Sequence, residues 1–188
     1  MTIPDEDVAD VLDDLEEVSD RPLTPKDVQD LKRALFGDPA AFTKILYSDR
    51  SYFVIGSYND EEAKRLLTVS QVLTRRRTND YSFLMKDIPE FTANFALKFH
   101  VLVRRVDYVV GVFEHNRGGH EWEAGALSHP PLLEKVWLLK REYPTTDAER
   151  DAFDAMIAHF FDLIEDRNQL LEWTTDDELR KQTETKIP

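Results

Sequence analysis

Hydrophobic positions change their spacing along the chain, and the change separates a helical beginning from an alternating centre. Between residues 8 and 18 apolar side chains recur at steps of three and four, which places them on one face of a helix. Thr24 then supplies an N-cap for a second helix, with Pro25 at its first position and Asp27 in its first turn. These patterns predict a helical N-terminal extension over residues 1–50.

From residue 51 onward, short apolar runs alternate with amphipathic helical segments. The runs that predict strands lie at 52–55, 81–85, 106–113 and 136–139. The third run reads VDYVVGVF and is apolar almost throughout, as expected where helices cover both faces of a sheet. Alternating strands and helices predict a parallel sheet. We therefore expect an α/β fold with an open, mainly parallel, doubly wound sheet of about four or five strands, flavodoxin- or Rossmann-like, with extra N- and C-terminal helices.

The same pattern divides the chain into three parts. Residues 51–166 are predicted to form the α/β domain, which ends with one long helix carrying apolar side chains from Phe153 to Ile164 at helical spacing. Residues 167–188 are rich in polar side chains and are predicted to be a polar C-terminal tail.

Charge limits the partners of this chain. The formal net charge is −13, but the acids are concentrated at the two ends, since residues 1–20 hold nine acids and no base. Residues 21–143 hold sixteen acids and nineteen bases. An acidic surface argues against a grip on duplex nucleic acid, which needs a basic face. A small anionic ligand in the mildly basic central region is compatible with this distribution.

Composition also bears on location and cofactors. No apolar run approaches the ~20 residues needed to cross a bilayer, so no membrane partner is expected. The acidic N-terminus lacks the basic-then-apolar pattern of an export signal, so we expect a cytoplasmic protein. The chain has no cysteine, and no spacing of histidines or carboxylates is typical of a metal site. We expect neither a metal nor another cofactor.

The loop after the third predicted strand is the richest candidate site. In open α/β sheets, ligands bind beyond the carboxyl ends of the strands. Here that loop contains Gly118 and Gly119, which allow a sharp turn and a close approach of the backbone to a ligand. Glu123 follows about one turn into the next helix, where the positive end of the helix dipole favours its ionised form. An ionised carboxylate is what attack on a sugar carbon requires.

The pattern Gly-x-x-x-Glu-x-Gly, read from Gly119 to Gly125 after a strand and a glycine turn, resembles the nucleoside 2-deoxyribosyltransferase-like superfamily. The resemblance covers roughly residues 51–139. It implies that Glu123 attacks the anomeric carbon of a nucleoside and forms a glycosyl–enzyme ester. The family has an aspartate six residues before this glutamate, where this chain has Arg117, and that departure favours a hydrolase over a transferase. Family members often complete their sites across a subunit interface, so a homo-oligomer is compatible with the resemblance.

The resemblance also implies which other residues contact a nucleoside or nucleotide. In addition to Glu123, the expected substrate-binding positions follow the three strand ends: Gly56, Ser57, Tyr58, Asp87, Asn116, Gly118 and Gly119. The glycine turn and glutamate are also similar to phosphoribohydrolases of the cytokinin-activating type, without their fuller glycine-rich motif. The first strand and its loop faintly resemble NAD-cleaving TIR-type domains. All three resemblances place a glutamate beside a nucleotide sugar.

Two functional hypotheses follow. The first is an enzyme that cleaves or transfers at an N-glycosidic bond, a nucleoside or nucleotide N-glycosidase or a deoxyribosyltransferase-like protein. The second is a non-catalytic nucleotide-binding, sensing or interaction module on the same fold, which the replacement at Arg117 and the acidic N-terminal helix favour. Acids in a first helical turn are also common for electrostatic reasons alone, so Glu123 has a purely structural alternative.

Overall fold

The computed structural model describes residues 24–26, 28–29, 39–88, 94–115 and 119–188. Its centre is a sheet of five strands in the order β2-β1-β3-β4-β5, and every neighbouring pair is parallel. The strands are β1 (Arg50–Gly56), β2 (Asp80–Leu84), β3 (Tyr108–Phe113), β4 (Val136–Arg141) and β5 (Leu170–Trp173). The expected α/β fold with an open, doubly wound sheet is therefore confirmed.

Helices connect these strands and cover both faces of the sheet. They are α1 (Pro39–Tyr47), α2 (Asp60–Arg76), α3 (Phe95–Arg105), α4 (His120–Leu127), α5 (Pro130–Leu133), α6 (Thr146–Ala152), α7 (Ala155–Glu165) and α8 (Asp176–Thr185). A short 3-10 turn, Met85–Asp87, follows β2. In the described part of the chain, no helix is both long and apolar enough to cross a membrane.

Alternate side chains of each strand enter two separate cores. On one face Phe53, Val109 and Leu138 pack with apolar residues of α3, α4 and α7. On the other face Val54 and Val110 pack with α2 and α8. Because both faces are covered, the central strands are apolar at successive positions, and this produces the continuous apolar runs seen in the sequence.

The C-terminal part of the chain corrects two expectations. Residues 167–188 are not a polar tail, because β5 pairs in parallel with β4 and α8 packs against the core on the α2 face. Trp173 and Leu179 are fully buried there, at 2% and 0% exposure. The helix expected from Phe153 to Ile164 starts later, since Asp154 accepts hydrogen bonds from the backbone N–H groups of Met156 and Ile157 and begins α7, and Phe153 instead ends α6.

The order of the strands fixes where the connections between them diverge. From β1 the chain passes through α2 to β2 on one side, whereas from β3 it continues to β4 on the other side. The connections therefore diverge between β1 and β3, and in open α/β sheets ligands bind beyond the carboxyl ends of the strands at this point. The expected division of the chain at residue 50 stays a prediction, because most of residues 1–38 lie outside the described residues.

Candidate functional site

Three strand ends meet at the carboxyl edge of the sheet. Ser57 and Tyr58 follow β1, the turn Met85–Asp87 follows β2, and Glu114 and His115 follow β3. Helix α4 begins close to the third of these loops and carries Glu123. Because β2, β1 and β3 are neighbours in the sheet, residues far apart in the sequence line one edge of it.

Glu123 has a buried carboxyl group whose surroundings leave one oxygen unpaired. Gly119 is the N-cap of α4, and the backbone N–H of Glu123 donates to its carbonyl oxygen at 3.1 Å, one turn into the helix as expected. The Oε2 atom of Glu123 is buried and has no hydrogen-bond partner. Burial raises the pKa of this carboxyl from 4.5 to about 7.

That pKa corrects the expectation that the helix dipole keeps Glu123 ionised. A helix N-terminus favours a nearby anion by about 0.3–1 kcal/mol, rising to ~2 kcal/mol at best. Loss of water around a carboxylate opposes ionisation more strongly when no cation or donor replaces it. At Glu123 desolvation wins, so at neutral pH the carboxyl group is divided between its two protonation states.

Tyr58 lies near both Glu123 and Asp87, since both carboxylates act on the pKa of its hydroxyl. Tyr58 is 47% exposed as a residue, but its hydroxyl is turned toward the backbone of Met85. Burial is the main cause that raises the pKa of Tyr58 to about 12, and the carboxylates of Glu123 and Asp87 add to the rise. The ammonium of Lys86 lies 5.8 Å from the centre of the Tyr58 ring. The structure thus brings together three of the predicted site residues.

Asp87 has a structural task as well. Its Oδ2 atom accepts a hydrogen bond from the backbone N–H of Leu84 at 2.8 Å, which fixes the turn that follows β2. The residue is exposed. Contact between Asp87 and a substrate therefore stays a prediction.

Gly56 and Gly119, two glycines of the predicted site, are required for different structural reasons. At Gly56 an added Cβ would lie 2.7 Å from Leu66 and from the carbonyl oxygen of Val112, so close packing explains the residue. At Gly119 nothing lies within 4 Å of an added Cβ, and a φ of +97° alone favours glycine. Asn116 and Gly118 lie outside the described residues, as does Arg117.

Four side chains that follow β1 and β3 or lie on the next helices had not been predicted as site residues. Glu62, in the first turn of α2, accepts a hydrogen bond at Oε1 from His115 Nε2 at 3.0 Å. His120 is 1% exposed and its Nδ1 lies 2.6 Å from the carbonyl oxygen of His115. Ser57, which had been predicted, lies close to Glu62 and helps to lower the pKa of that carboxyl. The available sequence signal was the position of Glu62 and His115 beside two strand ends.

Glu114 is the fourth of these side chains and lies in a saturated ion-pair network. Arg65 donates to both of its carboxylate oxygens, at 2.6 and 2.9 Å, and Arg141 donates to one of them at 2.8 Å. The hydroxyl of Tyr143 donates to the backbone carbonyl of Glu114. Every acceptor of this residue is thus engaged within the protein, so its carboxylate has a structural role. Among the residues that the structure describes, no group of acids and histidines is arranged to hold a metal ion.

Fold and site together define an α/β protein whose doubly wound parallel sheet carries a buried, unpaired carboxyl group at its carboxyl edge. The chain belongs to a family described as "Family of unknown function (DUF8170)", whose profile matches residues 6–159. No curated protein matches the chain.

Two solved structures are similar to this one. A conserved protein from Enterococcus faecalis V583 is 10% identical, with a TM-score of 0.49, and the match covers 73% of this chain and 99% of that protein. A 2-deoxyribosyltransferase from the psychrotolerant bacterium Bacillus psychrosaccharolyticus is 17% identical, with a TM-score of 0.39, over 69% of this chain and 90% of that enzyme. At these identities and scores, neither likeness bears on function. Membership of the deoxyribosyltransferase-like superfamily stays a prediction.

Proposed function

We propose that this protein cleaves, or transfers a sugar at, the N-glycosidic bond of a nucleoside or nucleotide, with Glu123 as the reacting carboxylate. The observation that carries this proposal is the buried Oε2 atom of Glu123, which has no hydrogen-bond partner and belongs to a carboxyl group close to Tyr58. A buried polar atom without a partner is costly, and native structures keep such atoms mainly where a ligand or reaction uses them.

The chemistry needs one carboxylate close to the anomeric carbon. In its ionised form Glu123 attacks C1′, and the C1′–N bond breaks as its electron pair passes to the base, which takes up a proton. Water then hydrolyses the sugar ester and releases the carboxylate, so the net reaction is nucleoside plus water to sugar plus base. A weaker form of the same role is stabilisation of the positively charged sugar in the transition state.

The surroundings of Glu123 fit a neutral sugar with an aromatic base. Tyr58 offers a half-exposed ring on which a base can stack, and Asp87 offers a carboxylate that can accept from a base N–H. The Gly119 turn leaves open space beside the start of α4. Because Arg117 replaces the aspartate of the resembling family, hydrolysis is the simpler outcome and transfer to a second base the more demanding one.

The direct test is release of free base. The protein is incubated with deoxynucleosides, ribonucleosides, nucleoside monophosphates and NAD, and products are separated by chromatography. We expect release from at least one substrate class, and a loss of roughly 10⁴-fold or more in Glu123→Gln. Glu121→Gln is the matched control, because Glu121 is exposed on the same helix and should keep activity. No release above the Glu123→Gln level from any substrate would remove the enzymatic proposal.

The non-catalytic module remains a second candidate because of a specific observation. Burial leaves the pKa of Glu123 at about 7, with no described cation to hold it ionised, which is less favourable for a nucleophile than for a hydrogen-bonding ligand contact. This candidate expects thermal stabilisation by a nucleoside or nucleotide without turnover, where ligand at 100 times its Kd adds about 2.7 kcal/mol. Unchanged melting temperatures across the same panel would contradict it.

A further inference from the structure

Two more buried and unpaired polar atoms belong to the helices that follow β1 and β3. The Oε2 atom of Glu62 and the Nε2 atom of His120 are both buried and without a hydrogen-bond partner. Glu62 comes from α2, which follows β1, and His120 is the first residue of α4, which follows β3. The two residues therefore come from the segments that follow β1 and β3, the strands between which the connections diverge, and ligands of such sheets bind at that point.

His115 joins these two side chains into one cluster. Its Nε2 atom donates to Oε1 of Glu62 at 3.0 Å, and its ring stacks on the ring of His120 with centres 5.7 Å apart and planes 17° apart. The negative charge of Glu62 is also near enough to act on the pKa of His120. Glu62, His115 and His120 are thus packed against one another.

The hydrogen bonds determine which unpaired atoms accept. Carbonyl oxygens only accept, so the Nδ1–H of His120 donates to the carbonyl of His115 at 2.6 Å. Burial is the main cause that lowers the pKa of His120, which keeps the ring neutral and leaves Nε2 as a bare acceptor.

Glu62 supplies the second acceptor. Burial opposes its ionisation, but bonds from neighbours including Ser57 and His115 outweigh burial and lower the pKa of its carboxyl. Ser57 and Asn59 are close enough to act on the pKa of this carboxyl, but its Oε2 atom is buried and has no hydrogen-bond partner. Two buried acceptors in one cluster call for a ligand that brings donors, and they disfavour a phosphate, which brings acceptors and negative charge.

We propose that Glu62 and His120 form a sugar-hydroxyl subsite that accepts hydrogen bonds from the vicinal 2′- and 3′-hydroxyl groups of a ribose ring. The inference deepens the proposed function, on which it rests for the choice of a nucleoside-like ligand. It names ribonucleosides over 2′-deoxynucleosides as the preferred substrate class. Glu62 and His120 act here by binding the sugar, whereas Glu123 reacts with it.

The test uses base-free probes and the imidazole nitrogens of the full chain. Protein labelled with ¹⁵N in its histidine rings is titrated with methyl β-D-ribofuranoside, its 2-deoxy counterpart and its 2,3-dideoxy counterpart. We expect the riboside to shift the Nε2 resonance of His120, at a concentration on the order of 10-fold lower than the dideoxy compound needs. In Glu62→Gln this preference should vanish, because the amide brings a donor where the carboxylate brings an acceptor. Glu61→Gln, which alters the exposed neighbour paired with Lys64, should keep it.

Three results would overturn the subsite. These are no shift of His120 with the riboside, an equal shift with the dideoxy compound, and a preference that survives in Glu62→Gln. A bound water could also satisfy both acceptors. In that case the spectrum without sugar changes in Glu62→Gln, no sugar shifts the His120 resonance, and the subsite is likewise overturned. The base-release assay reports separately on the proposed function: hydroxyl preference without release would leave a binding subsite, and release without preference would leave the enzyme and remove the subsite.

Discussion

Two buried carboxyl groups near the end of β3 are placed in opposite environments. Glu114, directly after the strand, accepts from Arg65 and Arg141, and both of its oxygens are engaged. Glu123, on the helix that follows, has a buried oxygen without a partner and no described cation beside it. Both acids lie at the same edge of the sheet.

The difference separates a structural carboxylate from a functional candidate. A buried ion pair with good geometry offsets its desolvation within the protein, so Glu114 has little capacity left for a ligand. The carboxyl group of Glu123 is removed from water without gaining a cation or donor in exchange. Its burial therefore lowers the stability of the protein as long as no ligand is bound. Burial alone therefore does not distinguish the two roles, whereas the number of satisfied acceptor atoms does.

The largest expected effect on stability comes from breaking the saturated network. Glu114→Ala leaves Arg65, whose side chain is 14% exposed, without its main partner and should cost about 3–5 kcal/mol of unfolding free energy. Asp176→Ala is the matched control, because Asp176 is 74% exposed and lies 3.8 Å from the same arginine. That control should cost no more than about 1 kcal/mol. Urea unfolding measures both, and similar losses would show that Arg65 does not depend on Glu114.

Substitution of Glu123 is expected to have a smaller effect on the free energy of unfolding, and one of opposite sign. The pKa of this carboxyl is about 7 in the folded protein against an ordinary 4.5, so the folded state holds the proton more tightly. Stability should therefore fall as pH rises from about 4.5 to about 7 and stay lower above that. Glu123→Gln cannot ionise, and it should match the wild type near pH 4 and exceed it by about 1–3 kcal/mol at pH 8.

Urea unfolding at a series of pH values measures this, and the difference between variant and wild type cancels the other titrating groups. A variant less stable than the wild type at pH 8 would mean that ionised Glu123 has a stabilising partner. That result would mean that Glu123, like Glu114, is paired within the protein. A stability gain together with loss of base release would instead show that the unpaired carboxylate is kept for function.

Substitutions of Asp87 test whether one carboxylate can both stabilise the fold, as Glu114 does, and contact a ligand, as proposed for Glu123. Since its Oδ2 accepts from the backbone N–H of Leu84, Asp87→Ala should cost about 1 kcal/mol. Asp87→Asn keeps an acceptor oxygen and should leave stability nearly unchanged. If Asp87 also contacts the base, as predicted, Asp87→Asn should weaken nucleoside binding while unfolding stays normal. Normal binding in Asp87→Asn would restrict this side chain to the turn.

Local patterns in the sequence were sufficient for four of the five strands and for the helix that carries Glu123. The apolar run of β3 and the glycine turn before α4 are features of a few neighbouring residues, and the structure keeps both. Strand β5 was missed because it is only four residues long, only its last residue is buried, and polar residues surround it. Its place in the sheet depends on pairing with β4, which no local pattern reveals.

The electrostatics of the site depend on long-range packing and were beyond local reasoning. Glu62 and His115 are separated by 53 positions, so their bond follows from the adjacency of β1 and β3. Likewise, the position of Glu123 in the helix indicated the dipole but gave no measure of its burial. The effect of the helix dipole on the pKa of Glu123 was identified, but the larger effect of burial was not. The expectation that this carboxyl is ionised was wrong for that reason.

The smallest expected effects concern the two glycines that bracket Glu123. Gly119 has a φ of +97° and open space around an added Cβ, so Gly119→Ala should cost about 1 kcal/mol through the backbone alone. Gly125 lies inside α4, also with open space, and Gly125→Ala should stabilise the protein by up to about 1 kcal/mol. Opposite signs in urea unfolding would show that the turn, and not the helix, requires its glycine. If Gly119→Ala also slows base release while Gly125→Ala does not, the turn positions Glu123 for the reaction, and the unpaired carboxyl group owes its environment to that single backbone conformation.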